Sequence, residues 1–98
     1  MNNVSLIGRL TNDPKISSIN IDGVNKTLAK YILAVERQAK GVDFVPCSAI
    51  DKGADWIKNN IKKGSRIGVI GTLKINNYEK SGVNVYTAEV LVKEQYFA

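Results

Sequence analysis

The stretch GTLKINNYEKSGVNVYTAEVLV, Gly71 to Val92, holds the residues of greatest chemical interest in this chain. Its ends alternate apolar and polar residues like a β-hairpin, while its middle carries Lys74, Asn76, Tyr78 and Lys80 where an ordinary connection would be shorter. The sequence thus holds an aromatic ring and amines out in water. Groups for catalysis are scarce by contrast. There is no histidine, a single cysteine, Cys47, and no set of carboxylates at metal-ligand or acid/base spacing, which removes the commonest general bases and transition-metal ligands. The glycines of GSRIGVIGTL do not form a phosphate loop, because no Gly-Lys-Ser/Thr follows and the segment reads as strand. Gly68 and Gly71 are expected instead to let that strand bend sharply. An enzyme is the least supported reading, and no cofactor or metal is implied.

A chain of 98 residues with 44% hydrophobic content is long enough for one core and too short for two, so one domain spanning residues 1–98 is expected. Lysine and arginine number 14 against 9 acids, a net charge of +5 that suits a polyanionic partner. Cys47 has no partner for an internal disulfide. The opening MNNVSLIGRL has neither a charged leader nor a long apolar run, and the longest apolar run, YILAV, is far too short to span a bilayer. A cytoplasmic protein with no membrane partner is the expectation.

The elements that must position the hairpin follow from periodicity. Val4, Leu6 and Leu10 alternate with Asn3, Ser5 and Arg9, which predicts a first strand closed by the turn TNDP. KISSINI reads as a short strand or a continuation of the first, ended by Asp22-Gly23. LAKYILAVER sets Ala29, Tyr31, Leu33 and Val35 on one face of a second strand. DFVPCSAI is a third, and its Pro46, lacking an N–H, belongs at an edge or a bulge. The period then changes: Ala54, Ile57 and Ile61 in GADWIKNNIKKG form a helical stripe, with Lys62 and Lys63 near the C-terminal dipole and Gly64 as the stop. RIGVIGTLKI gives a fourth strand with Ile67, Val69, Leu73 and Ile75 together, and VYTAEVLVK a fifth. Three strands, one helix and two strands suit a five-stranded all-β OB barrel with its helix between strands three and four.

These words, in order, resemble a family. NNVSLIGRLTNDP, LAVER, DFVPC, KKGS and GTLKINNYEKSGVNVYTAEV are similar to the DNA-binding domain of bacterial single-stranded DNA-binding proteins, and the match runs over nearly the whole chain. The resemblance implies an OB barrel that coats single-stranded DNA without catalysis in replication, recombination or repair, at the nucleoid, as a homotetramer or, failing that, a dimer. In an OB barrel the loop between strands four and five flanks the nucleic-acid groove, so Tyr78 there can stack a base while nearby amines neutralise phosphates. The regular strand NNVSLIGRL is expected to offer an edge for pairing across a two-fold axis.

Carried over by position, Phe44 and Tyr78 match places where the family sets rings against bases, and Lys52, Lys63 and Lys74 match basic positions along the groove. Arg37, at the end of LAVER, and Asn76, which shares the outward parity of Thr72, Lys74 and Tyr78, join them. From its own strand Phe44 reads equally as a core ring, since its parity partners Pro46, Ser48 and Ile50 are mixed. Lys62, Lys63 and Arg66 read equally as a solvated helix end. Two departures weaken the expected grip: Ala39 and Ile50 stand where the family commonly carries aromatic residues, Ile50 being kept as a candidate contact at its place, and the loop Gln38 to Val42 is short. Trp56 is expected to cover the barrel and Tyr31 to sit in the core, with Tyr86 open. The chain ends at KEQYFA, whereas the family continues through a polar tail to an acidic tip, so tail-mediated recruitment is not expected of this chain. The rival readings are a protein-interaction barrel of primosome-accessory type and an RNA-binding barrel.

Overall fold

The computed structural model describes residues 1–98. The chain runs through strands β1 (Val4–Leu10), β2 (Lys15–Ile21), β3 (Val24–Glu36) and β4 (Val42–Ile50), helix α1 (Lys52–Asn60), and strands β5 (Arg66–Lys80) and β6 (Val83–Phe97). The order across the sheet is β1-β5-β6-β4-β3-β2, and an additional pairing of β1 with β3 at Arg9↔Ala34 and Leu10↔Leu33 closes β1, β5, β6, β4 and β3 into a barrel. All neighbours are antiparallel except β4 and β6, which meet in parallel at Cys47↔Val90 and Ser48↔Leu91. This is the OB barrel expected from the strand order, with KISSINI as a strand of its own, paired along β3 outside the closed ring.

Two turns set the registers of the two hairpins. Asp22 and Gly23 have φ 51° and 81°, and Ser81 and Gly82 have φ 52° and 78°. Positive φ at both central residues is the requirement of a type I′ turn, whose twist matches the strands it joins. The second turn corrects the expected strand ends. The segment around Asn76 to Lys80 is not a loop, since β5 and β6 stay paired to Lys80↔Val83.

The core follows the predicted parity. Leu10, Ala29, Tyr31, Leu33, Cys47, Ile67, Val69 and Val90 point inward, and Ala54, Ile57 and Ile61 close one end of the barrel. The helical stripe is therefore as expected, but the stop is not: Ile61 is already extended, at φ −121° and ψ 139°, so Lys62 and Lys63 lie beyond the helix. Gly64, at φ 86°, turns the chain into β5 and donates its N–H to the Leu10 carbonyl. Trp56 lies against the barrel and packs its ring 5.0 Å from that of Phe97. The buried Tyr31 hydroxyl bonds Gln95 Oε1 at 2.6 Å, and Gln95 Nε2 donates to the Gly53 carbonyl, tying β3, β6 and the helix start together. Burial, then the nearby Glu89, push the Cys47 thiol up to about 12, so it sits in the core as a small neutral hydrophobe.

Pro46 occupies the position its chemistry demands. It stands opposite Ile32, whose carbonyl is taken by the Thr11 N–H, so this rung exchanges no ladder bond between β3 and β4. On its other side the parallel pairing with β6 begins only at Cys47. The segment Val42–Pro46 is an edge there, and the missing N–H leaves no acceptor unpaired.

Of the two glycines expected to bend β5, Gly71 does so. The register with β6 shifts between Ile70 and Gly71, and a Cβ on Gly71 would stand 2.2 Å from the Leu91 carbonyl oxygen. Gly68 serves otherwise, as a seat for the Tyr96 ring, which would lie 2.3 Å from an added Cβ.

Candidate nucleic-acid interface

Past Gly71 the β5–β6 hairpin leaves the barrel. Leu73 and Ile75 share the parity of Ile67 and Val69, yet they are 45% and 53% exposed where those two are fully buried. Side-chain period cannot tell where a strand runs out of core. On the opposite face stand Thr72, Lys74, Asn76 and Tyr78, with Leu91, Glu89, Thr87 and Val85 across from them. Tyr78 is half-exposed. Tyr86 is exposed on the other face, opposite Asn77.

The barrel presents a second surface beside this one. On β4 the outward residues are Phe44, Pro46, Ser48 and Ile50, paired with Ala34, Ile32, Lys30 and Leu28 of β3. Phe44 is 66% exposed, so it is no core ring, and Ile50 is 43% exposed on the same face. Glu89 joins the two surfaces. Its Oε2 accepts from the Ser48 hydroxyl at 3.0 Å and its Oε1 from Asn76 Nδ2 at 3.3 Å, so the outward faces of β4 and of the hairpin form one continuous groove.

A cleft of about 380 Å³ opens on this groove, lined among others by Lys15, Lys30, Ile32, Pro46, Ser48 and Glu89. Lys15 and Lys30 are direct cross-strand partners, both exposed. Like charges set opposite each other in a ladder repel unless an anion lies between them. No acid within 4 Å pairs either amine, nor those of Lys52, Lys63 or Lys74, because the single ion pair of the chain is Arg37 with Asp43 at 2.8 Å.

The sequence-derived candidates fall into three groups. Phe44 and Ile50 lie on the outward face of β4, and Lys74, Asn76 and Tyr78 on that of the hairpin, the two faces joined through Ser48, Glu89 and Asn76. Lys52 follows Ile50 at the end of β4, and Lys63 sits beside the cleft, where its backbone N–H bonds Asp13 Oδ1 at 2.7 Å. Arg37 stands apart from these. Both Nε and Nη2 are donated to Asp43 Oδ1 across the short β3–β4 connection, a bond that raises the guanidinium pKa and lowers that of the carboxyl. Lys15, Lys30 and Glu89 were not singled out by sequence reasoning. The outward parity of Lys30 against Tyr31 was legible, but its partner depends on the register fixed at Asp22-Gly23.

Comparison with known proteins decides the lineage. The sequence model of the single-strand binding protein family matches residues 1–98. The chain belongs to that family. Among its curated relatives is a single-stranded DNA-binding protein of Clostridium perfringens, 38% identical over 96 residues, covering 95% of this chain and 63% of the relative. A single-stranded DNA-binding protein of Bacillus cereus is 39% identical over 104 residues, covering 99% of this chain and 59% of its own length. Single-stranded DNA-binding protein 2 of Staphylococcus aureus is 38% identical over 104 residues, covering 99% and 72%. The chain thus spans about three fifths of the length of the first two relatives. Family membership agrees with the OB barrel. The strands that close the barrel also carry the outward rings and amines.

Proposed function

We propose that this chain binds single-stranded DNA without catalysis and with little base preference, coating the strand in replication, recombination or repair at the nucleoid in the cytoplasm. One observation carries the reading: exposed rings, Phe44 and Tyr78, and amines without acidic partners, Lys15, Lys30 and Lys74, share one groove joined through Glu89. Rings accept the face of any base, amines neutralise the backbone, and neither reads the donor pattern of a duplex groove. Membership of the single-strand binding protein family and the names of the relatives support it.

A salt titration tests the proposal. The logarithm of the affinity for oligothymidine should fall linearly with the logarithm of salt concentration, by about 0.7 per phosphate neutralised, and duplex of equal length should bind far more weakly. Equal affinity for the two would sink the reading.

We further infer a homotetramer, with a dimer as the smaller alternative. β1 is flanked on both sides only at Arg9 and Leu10; from Val4 to Gly8 it pairs with β5 alone and its second edge is open. An open regular edge beside the exposed Ile7 invites a second copy across a two-fold axis. Light scattering at micromolar concentration should give a multiple of 10.7 kDa, and a monomer alone would count against it.

A further inference from the structure

We propose that Glu89 sorts bases from phosphates: it is the positioning residue that makes a bound strand turn its bases toward the floor of the groove and its backbone toward the rim. This rests on the single-stranded DNA reading given above. The residue is unusual for its place. Family resemblance and charge balance direct attention to amines and rings, yet a carboxylate stands where the β4 face meets the hairpin.

Both oxygens of Glu89 are engaged by neutral donors, Ser48 Oγ and Asn76 Nδ2. Lys74 is its cross-strand partner, but no ion pair forms between them within 4 Å. The charge at this point is therefore oriented without being neutralised by the protein. Glu89 is half-buried, which lowers its screening by solvent. A phosphate placed there meets a like charge. A base placed there meets no such penalty. It also finds apolar surface beside it, in Pro46 and Ile32, while free lone pairs on the carboxylate accept from base N–H groups. Lys15, Lys30 and Lys74 then take the backbone around it.

The same two hydrogen bonds give Glu89 a second, mechanical part. They hold the Asn76–Tyr78 face of the hairpin in line with Phe44 and Ser48, and loss of either donor should loosen the groove for every ligand alike. This difference separates sorting from support. Binding is compared for oligothymidine and for an abasic deoxyribose-phosphate oligomer of the same length, at low salt, after melts confirm folding. Glu89→Gln can still bond Ser48 and Asn76 but lacks the charge. It should tighten the abasic oligomer by at least about fivefold, the size of one like-charge contact at about 4 Å under full water screening, and change oligothymidine much less. The preference for bases should narrow accordingly. Glu89→Ala, a second neutral variant, should narrow it too while lowering both affinities. Glu89→Asp keeps the charge and should keep the parent's preference, and Ser48→Ala should weaken both ligands together. An unchanged preference in both neutral variants overturns the inference while leaving the single-stranded DNA reading intact. Failure of the parent protein to bind oligothymidine at all overturns both.

Discussion

Gly8→Ala is expected to destabilise the barrel by about 3 kcal/mol, the upper range for overpacking a closed site, and to lower the melting temperature by on the order of 15 °C for a domain of this size. Gly8 lies one residue before the Arg9↔Ala34 rung that closes the barrel, and its missing side chain faces inward. A Cβ there would stand 2.3 Å from the Ala34 carbonyl oxygen and 3.0 Å from Leu33 Cγ. The oxygen belongs to the backbone of β3 and cannot rotate aside, so relief requires β1 to move off β3. Gly82→Ala makes the contrast. It meets open space and only its φ of 78° opposes it, which costs about 1 kcal/mol. Differential scanning calorimetry of the two variants should separate them clearly. A Gly8→Ala protein that melts within a degree or two of the parent would mean that β1 and β3 do not close as tightly as this geometry demands.

Much of this architecture can be read from the sequence because local period reports it. Tyr31 and Leu33 against Lys30 and Ile32 fix the two sides of β3, and the stripe Ala54–Ile57–Ile61 marks the helix. Other features go beyond local period, some of them out of reach of the sequence for physical reasons. The exposure of Leu73 and Ile75 depends on where β5 leaves the barrel, which is set by the shift at Ile70/Gly71 and by the approach of the Leu91 carbonyl, not by the pattern of side chains. The facing of Lys15 and Lys30 is non-local but recoverable, since counting back from a two-residue turn at Asp22-Gly23 places them opposite each other. The same count from Ser81-Gly82 places Glu89 across from Lys74. What no count supplies is the contact of Ser48 with Glu89. It depends on the parallel meeting of β4 and β6, strands separated by the helix and the whole of β5. Phe44 illustrates the same limit at one position: its strand left it between core and groove, and only the closed barrel puts it outside.

Tyr78→Ala should weaken oligothymidine binding by about 1–3 kcal/mol, the span measured for a lost base–aromatic stack, while leaving the salt dependence nearly as it was. Phe44→Ala should behave alike. Its ring is 66% exposed and lies outside the core cluster, so truncation opens no cavity and the melting temperature should stay near that of the parent. Lys74→Ala should show the opposite signature. It removes one amine without an acidic partner from the hairpin face, so the slope of log K against log salt should flatten by about 0.7, the single-strand increment for one charge, and the loss in affinity should shrink as salt rises. Arg37→Ala supplies the control within the same chain, because its guanidinium is already held by Asp43. It should move the slope less than Lys74→Ala does. The forces are thus separable by the shape of the isotherm series: stacking shifts the whole line downward and phosphate contact tilts it. Fluorescence anisotropy of a labelled oligothymidine at several salt concentrations reads both. Folded Tyr78→Ala and Lys74→Ala proteins that bind like the parent at every salt concentration would remove the β5–β6 hairpin from the interface and leave the β2–β3–β4 face, with Phe44, Lys15 and Lys30, to carry the strand alone.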